Sequence, residues 1–236
     1  MSLRRAWWAA LGALVVLPLA ACSSTSGVRT APSAPAATED PSDLETLYWA
    51  RQDSARMSFT EADVAFMDGM IGHHAQALVM SRLAPTNGAS PAVQTLASRI
   101  INAQNDEIAT MQRWLRDRGQ PVPEIHIDGL TLMIHGGSMA HGEGHGHHMM
   151  PGMLTDEQLQ ELSEAQGTAF DRLFLTYMIQ HHSGAVTMVD ELFATDGAAQ
   201  DDAAFKLASD IHVDQLTEIA RMERMLSALP EPNPEP

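Results

Sequence analysis

The stretch MIGHHAQALVM, residues 70–80, sets two adjacent histidines between methionines, and the chain repeats it as MIQHHSGAVTM at 178–188. The match extends outward in both directions. DVAFMDGMIGHHAQALVM, from Asp63, aligns without a gap with DRLFLTYMIQHHSGAVTM, from Asp171, 108 positions later. LASRIINAQNDEIATMQRWL, from Leu96, aligns with LASDIHVDQLTEIARMERML, from Leu207, now 111 positions later because the second turn is longer. Apolar residues recur at helical spacing in each block, so each half reads as an αα-hairpin. One hairpin leaves an apolar stripe uncovered. Two of them close a four-helix bundle with a pseudo-twofold axis.

Local signals punctuate this plan. Thr60 with Asp63 has the spacing of a capping box, and the helix it opens is expected to run to Leu83. The turn APTNG ends it, and Ser90-Pro91 supplies an N-cap followed by proline at the first helical position. That helix should run to Gly119. A loop rich in Gly, His and Met is expected over 120–153, and Thr155 with Gln158 caps a short helix. Long helices follow over about 167–194, stopped near Gly197, and about 200–228, before Pro230. The expected class is all-α, with no strand pattern. The domain is read as 57–228, with halves 57–119 and 154–228, and a Pro-rich tail at 229–236.

The first 21 residues read as an export signal: Arg4 and Arg5, an apolar run, then small residues. The run is too short for a membrane span. Leu19-Ala20-Ala21-Cys22 resembles the bacterial lipobox, which implies cleavage before Cys22 and lipidation of that residue. An ordinary cleavage site after Ala21 and an uncleaved anchor are the alternatives. Cys22 is the sole cysteine, so an internal disulfide is excluded, and it stands where a lipid anchor needs it. Residues 22–56, which begin as Ser, Thr, Ala and Pro, are expected to form a flexible tether. Loss of the two signal arginines takes the formal charge from −16 to −18. Such an acidic chain argues against nucleic acid, whose phosphates require Lys and Arg, and suits attraction of cations.

Helical geometry of 100° per residue gathers Asp63, Phe66, Met70, His73, His74, Ala77 and Met80 on one arc of about 140°, the width of a core-facing stripe. The second copy places Asp171, Phe174, Met178, His181, His182, Ala185 and Met188 likewise. Asp63 and Asp171 lie more than two turns before the histidines, at another depth. On the partner helices Gln104, Glu107 and Met111 share a face, as do Gln215, Glu218 and Met222. Burying these polar groups without partners would cost roughly 1–3 kcal/mol each. Two explanations compete. One is a hydrogen-bonded network of His, Glu and Gln with Met as filler. The other is a metal site, with His73, His74, Met70, Met80, Glu107 and Met111 as candidate ligands, and His181, His182, Met178, Met188, Glu218 and Met222 as their equivalents.

The loop is a separate signal. MIHGGSMAHGEGHGHHMMPGM, residues 133–153, packs five histidines (135, 141, 145, 147, 148) and five methionines (133, 139, 149, 150, 153) among glycines. His-rich tracts bind metals, and solvation alone does not require imidazole with thioether. Candidate loop ligands are His135, Met139, His141, His145, His147, His148, Met149 and Met150. Imidazole suits Cu(II) and Zn, and thioether favours Cu(I), so ligand softness points to copper, with zinc or iron as alternatives. Avoiding cysteine is sensible outside the cell, where thiols oxidise.

Phe-x-x-x-Met-Ile-x-His-His, then a small residue and Met, then Gln-x-x-Glu-Ile-x-x-Met, with MPGMLTDEQ ahead of FDRLF, resembles domain-of-unknown-function family 305 over about residues 57–228. The resemblance implies an exported bacterial protein, duplicated and ferritin-like in fold. It also implies copper binding and tolerance through Met and His ligands, as for some members, with the two His pairs and their neighbouring Met as candidates. Ferritin-like di-iron sites use Glu from two helices and Glu-x-x-His from the others. Here Gln104-x-x-Glu107 and Gln215-x-x-Glu218 stand instead, so only two Glu converge, which argues against a ferroxidase or oxygen-activating enzyme. There is no Gly-x-Ser-x-Gly, phosphate loop or His-Glu-x-x-His. His212 replaces Ile101 of the first half and is not required by the duplication. The competing functions are a copper-sequestering or copper-delivering lipoprotein, an envelope interaction module with a polar structural core, and a ferritin-like metal oxidase.

Overall fold

The computed structural model describes residues 41–56, 58–137 and 150–231. Its elements are α1 (Pro41–Arg56), α2 (Glu61–Arg82), α3 (Pro91–Asp117), β1 (Glu124–Asp128), β2 (Thr131–His135), α4 (Asp156–Glu164), α5 (Gly167–Ala194) and α6 (Asp202–Ser227). The four longest, α2, α3, α5 and α6, form a ferritin-like bundle. α2 packs on α3 and α5 on α6 as the two hairpins, and α2 against α5 joins the halves.

The caps fall where the side chains demand. Thr60 and Asp63 form a reciprocal capping box on α2, as do Thr155 and Gln158 on α4. Ser90 accepts from the Val93 N–H at the start of α3, with Pro91 at the first helical position. Asp63 and Asp171 do lie away from the histidines and serve the fold. The Asp63 carboxylate also accepts from the Ala199 N–H at 2.7 Å, and Asp171 accepts from the Ser90 N–H at 3.1 Å. Each half thus ties down the interhelical turn of the other.

Two features differ from the sequence expectation. Residues 41–56, placed in the tether, form helix α1. Leu, Glu, Ala and Arg favour a helix, and Asp43 sits in its first turn. Leu44, Leu47, Tyr48 and Trp49 of α1 are exposed. Strands also exist. Part of the expected loop is an antiparallel hairpin in which Ile125 pairs with Ile134 and Ile127 with Leu132. Its two-residue turn starts at Gly129, with φ 58°, a conformation glycine adopts without a Cβ clash. The alternation of Ile, Leu and Met with polar residues is a strand period, outweighed in the sequence reading by the Gly/His composition that follows.

This hairpin packs on α2, which is enclosed on all sides: every residue from 66 to 81 is buried. Two apolar clusters fill the bundle. One contains Phe66, Met67, Met70, Ile108, Met111, Trp114 and Leu192. The other contains Met80, Leu96, Ile100, Phe170, Phe174, Met178 and Met222. Between them lies a polar layer at the midpoints of the helices.

Candidate metal centre

His73 and His74 sit at the middle of α2, and His181 and His182 at the middle of α5, in a fully buried layer. Antiparallel packing of α2 on α5 brings the two copies face to face. The rings of His73 and His181 lie 3.9 Å apart, centroid to centroid, with 39° between their planes. His74 and His182 flank this pair, at 6.4 Å from His73 and 6.2 Å from His181 respectively. Each flanking ring turns to its own hairpin partner. His74 Nε2 meets Glu107 Oε2 at 2.7 Å, and His182 Nε2 meets Glu218 Oε2 at 2.8 Å.

The central pair is not symmetric. His73 Nε2 donates to the Pro151 carbonyl at 3.0 Å, while neither ring nitrogen of His181 has a hydrogen-bond partner. The cause is the linker that enters the domain before α4. It crosses the layer on one side only. Gln76 clamps it through both backbone groups of Leu154, at 2.9 and 2.8 Å. Its backbone lies so close to Gly184 that a Cβ there would collide with the Pro151 carbonyl. The repeat gives way at this contact: Gln76 and Gly184 are equivalent positions with different residues.

Electrostatics follow from burial. Desolvation pushes His73 down from 6.5 to about 3, helped by His74 and His182 and opposed by the bond to Pro151. His181 is held well below the ordinary histidine value by desolvation first, then by His73, His182 and His74. Both central imidazoles are neutral at physiological pH, the form that coordinates metals. On the α3/α6 side, burial and then the Glu107 and Glu218 carboxylates raise Asp214 above its usual range.

Several buried polar atoms make no hydrogen bond: Nδ1 of His73, His74 and His182, both ring nitrogens of His181, both amide atoms of Gln104 and Oε1 of Gln215. Native interiors leave few such groups. Met70, Met80, Met111, Met178 and Met222 are fully buried in the apolar clusters bounding the layer, whereas Met188 is only half-buried. Among the described residues no three His, Cys, Asp or Glu side chains are grouped as one ion requires.

The loop candidates divide. Met139, His141, His145, His147, His148 and Met149 lie outside the described residues, as does Cys22, the lipidation candidate. His135 is exposed at the end of β2, and Met150 is half-buried beside the linker. His126, not anticipated, faces Met133 across the hairpin, and both are exposed. His212 is half-buried and pairs with Asp190 at 3.3 Å. The Pro151 carbonyl was also missed, because backbone groups leave no composition signal.

No curated protein matches the chain. Among solved structures, a DUF305 fragment from Deinococcus radiodurans aligns with TM-score 0.58 and 29% identity, over 72% of this chain and 99% of that one. A DUF305 protein from Streptomyces coelicolor aligns with TM-score 0.55 and 24% identity, over 70% of this chain and 91% of that one, which speaks to the fold alone. CopM in its Cu(II)-bound form aligns with TM-score 0.50 and 30% identity, over 70% of this chain and 95% of that one. The family model for the domain of unknown function DUF305 matches residues 63–226, nearly the whole duplicated bundle, and the chain belongs to that family.

Proposed function

We propose that this protein is an extracytoplasmic, lipid-anchored metal-binding protein that sequesters or delivers copper through histidine and methionine. The observation that carries the reading is the buried histidine layer, whose ring nitrogens keep unpartnered positions in a bundle whose apolar clusters hold fully buried methionines. Neutral imidazole with thioether suits copper in both oxidation states. The donor set suits iron poorly, because its two carboxylates each already engage a histidine. Since the four rings are not grouped around one point, a site built on them takes methionine sulfur to complete it. The similarity to CopM, solved with Cu(II), supports the choice of metal. Glu107, Glu218 and Asp214 would favour cation approach on the α3/α6 side. Residues 133–153 supply a second, weaker site through their histidines and methionines.

A second reading has an observation of its own. The His74–Glu107 and His182–Glu218 pairs are what a structural hydrogen-bond network requires, and they would serve a non-catalytic envelope interaction module equally well. Anaerobic Cu(I) titration against a chromophoric chelator decides between them. It compares the full chain, a deletion within the loop, and a variant with His73, His74, His181 and His182 all changed to Ala. Loss of the tightest site in the quadruple variant alone, with lower stoichiometry in the deletion, is the expected result. Unchanged binding in the quadruple variant would make the layer structural.

A further inference from the structure

We infer that His73, His74 and His182 present Nδ1 as the metal-binding nitrogen, and that Glu107, Glu218 and the Pro151 carbonyl are positioning groups which fix the rings from the Nε2 side. This deepens the copper reading and rests on it for the ligand role.

The argument is one of donors and acceptors. An ionised carboxylate and a peptide carbonyl can only accept hydrogen bonds. Each of the three rings sets Nε2 against such a group, at 2.7 Å from Glu107, 2.8 Å from Glu218 and 3.0 Å from Pro151. Nε2 must therefore carry the proton in all three. In the neutral ring the lone pair is then on Nδ1, and in each ring Nδ1 is buried without a partner. A ring that donates from one nitrogen to a carboxylate or carbonyl while the other stays free is the arrangement in which histidine ligates a metal.

The consequence for the glutamates is specific. Glu107 and Glu218 read as ligands from their helix face, but each spends an oxygen on holding an imidazole. The linker becomes part of the site as well. Pro151 does for His73 what a glutamate does for His74 and His182, and Gly184 leaves room for it. His181 has no carboxylate or linker carbonyl to fix it in the same way.

Two measurements test this. The first is nitrogen–proton correlation NMR on metal-free, 15N-histidine-labelled full chain at neutral pH, with rings assigned by single His→Gln variants. Nε2–H tautomers for His73, His74 and His182 are expected, and a proton on Nδ1 in these rings overturns the inference. The second is Cu(I) affinity in Glu107→Gln, Glu107→Ala, Glu218→Gln and Glu218→Ala. The Gln amide oxygen still accepts from Nε2, so the Gln variants should stay within a few-fold of wild type. The Ala variants should weaken binding by about 10- to 100-fold, the usual effect of losing a group that orients a ligand. Equal losses for Gln and Ala would make the glutamates ligands, and no loss for either would deny them a positioning role. Unchanged binding in the quadruple His variant would remove the copper reading, while the tautomers stand or fall by the metal-free spectrum.

Discussion

Mild acid should destabilise the metal-free protein more than its carboxylates can explain. His73 has an ordinary value of 6.5 when exposed in the unfolded chain and about 3 in the folded one. Between these values the unfolded state binds the extra proton, so stability is complete above about 6.5 and falls as pH falls toward 3. At pH 5, about 1.5 units below the unfolded value and at about 1.4 kcal/mol per unit, His73 alone removes about 2 kcal/mol. His181 is shifted in the same direction by the same burial and adds to the loss. Two kcal/mol is a large fraction of a typical domain stability of about 5–15 kcal/mol. The assay is urea unfolding at pH 7 and pH 5 in the presence of a chelator, since metal binding has its own proton dependence. The control is His73→Gln, whose amide can still donate to Pro151 but does not titrate. It should lose about 2 kcal/mol less than wild type between the two pH values. Equal losses in the two proteins would refute the claim that the buried neutral ring is the source.

Other perturbations reach different parts of the molecule. Gly184→Ala gains about 1 kcal/mol of helix propensity but overpacks the Pro151 contact at about 1–3 kcal/mol. A net loss by urea unfolding is expected, and a more stable variant would mean the linker does not pack there. Asp63→Ala removes the acceptor for the Thr60 N–H, one half of the α2 capping box, and the acceptor for the Ala199 N–H, for a cost of about 2–3 kcal/mol, and a change below about 0.5 kcal/mol would contradict the clamp. Cys22→Ser with the signal removed should move the protein from the membrane to the soluble fraction, because stable attachment by acyl chains needs more than one. Continued sedimentation with membranes would place the anchor elsewhere.

The sequence by itself determined the bundle. Period 3.6, caps three residues apart and a gapless repeat are all local or pairwise features, so they survive without coordinates. They also put both His pairs on inward faces, since the repeat fixes equivalent positions in equivalent helices. The β1–β2 hairpin was legible too, in its alternation and its Gly129-Leu130 turn, but its composition merged with the loop beyond it. What only the tertiary structure decided is how the four rings differ. Helical geometry placed His73 and His74 at the margins of a buried stripe. The hairpin and the linker covering α2 made those margins interior, and neither cover has a helical period to read. Antiparallel crossing of α2 on α5 selected His73 and His181 as the central pair, because they meet near the pseudo-twofold axis. The bond from His73 to Pro151 spans 78 residues and ends on a backbone oxygen, a group that every residue carries. No spacing in the chain can announce such a contact. It arises because the linker has to cross the bundle to begin the second half, and it can cross on one side only.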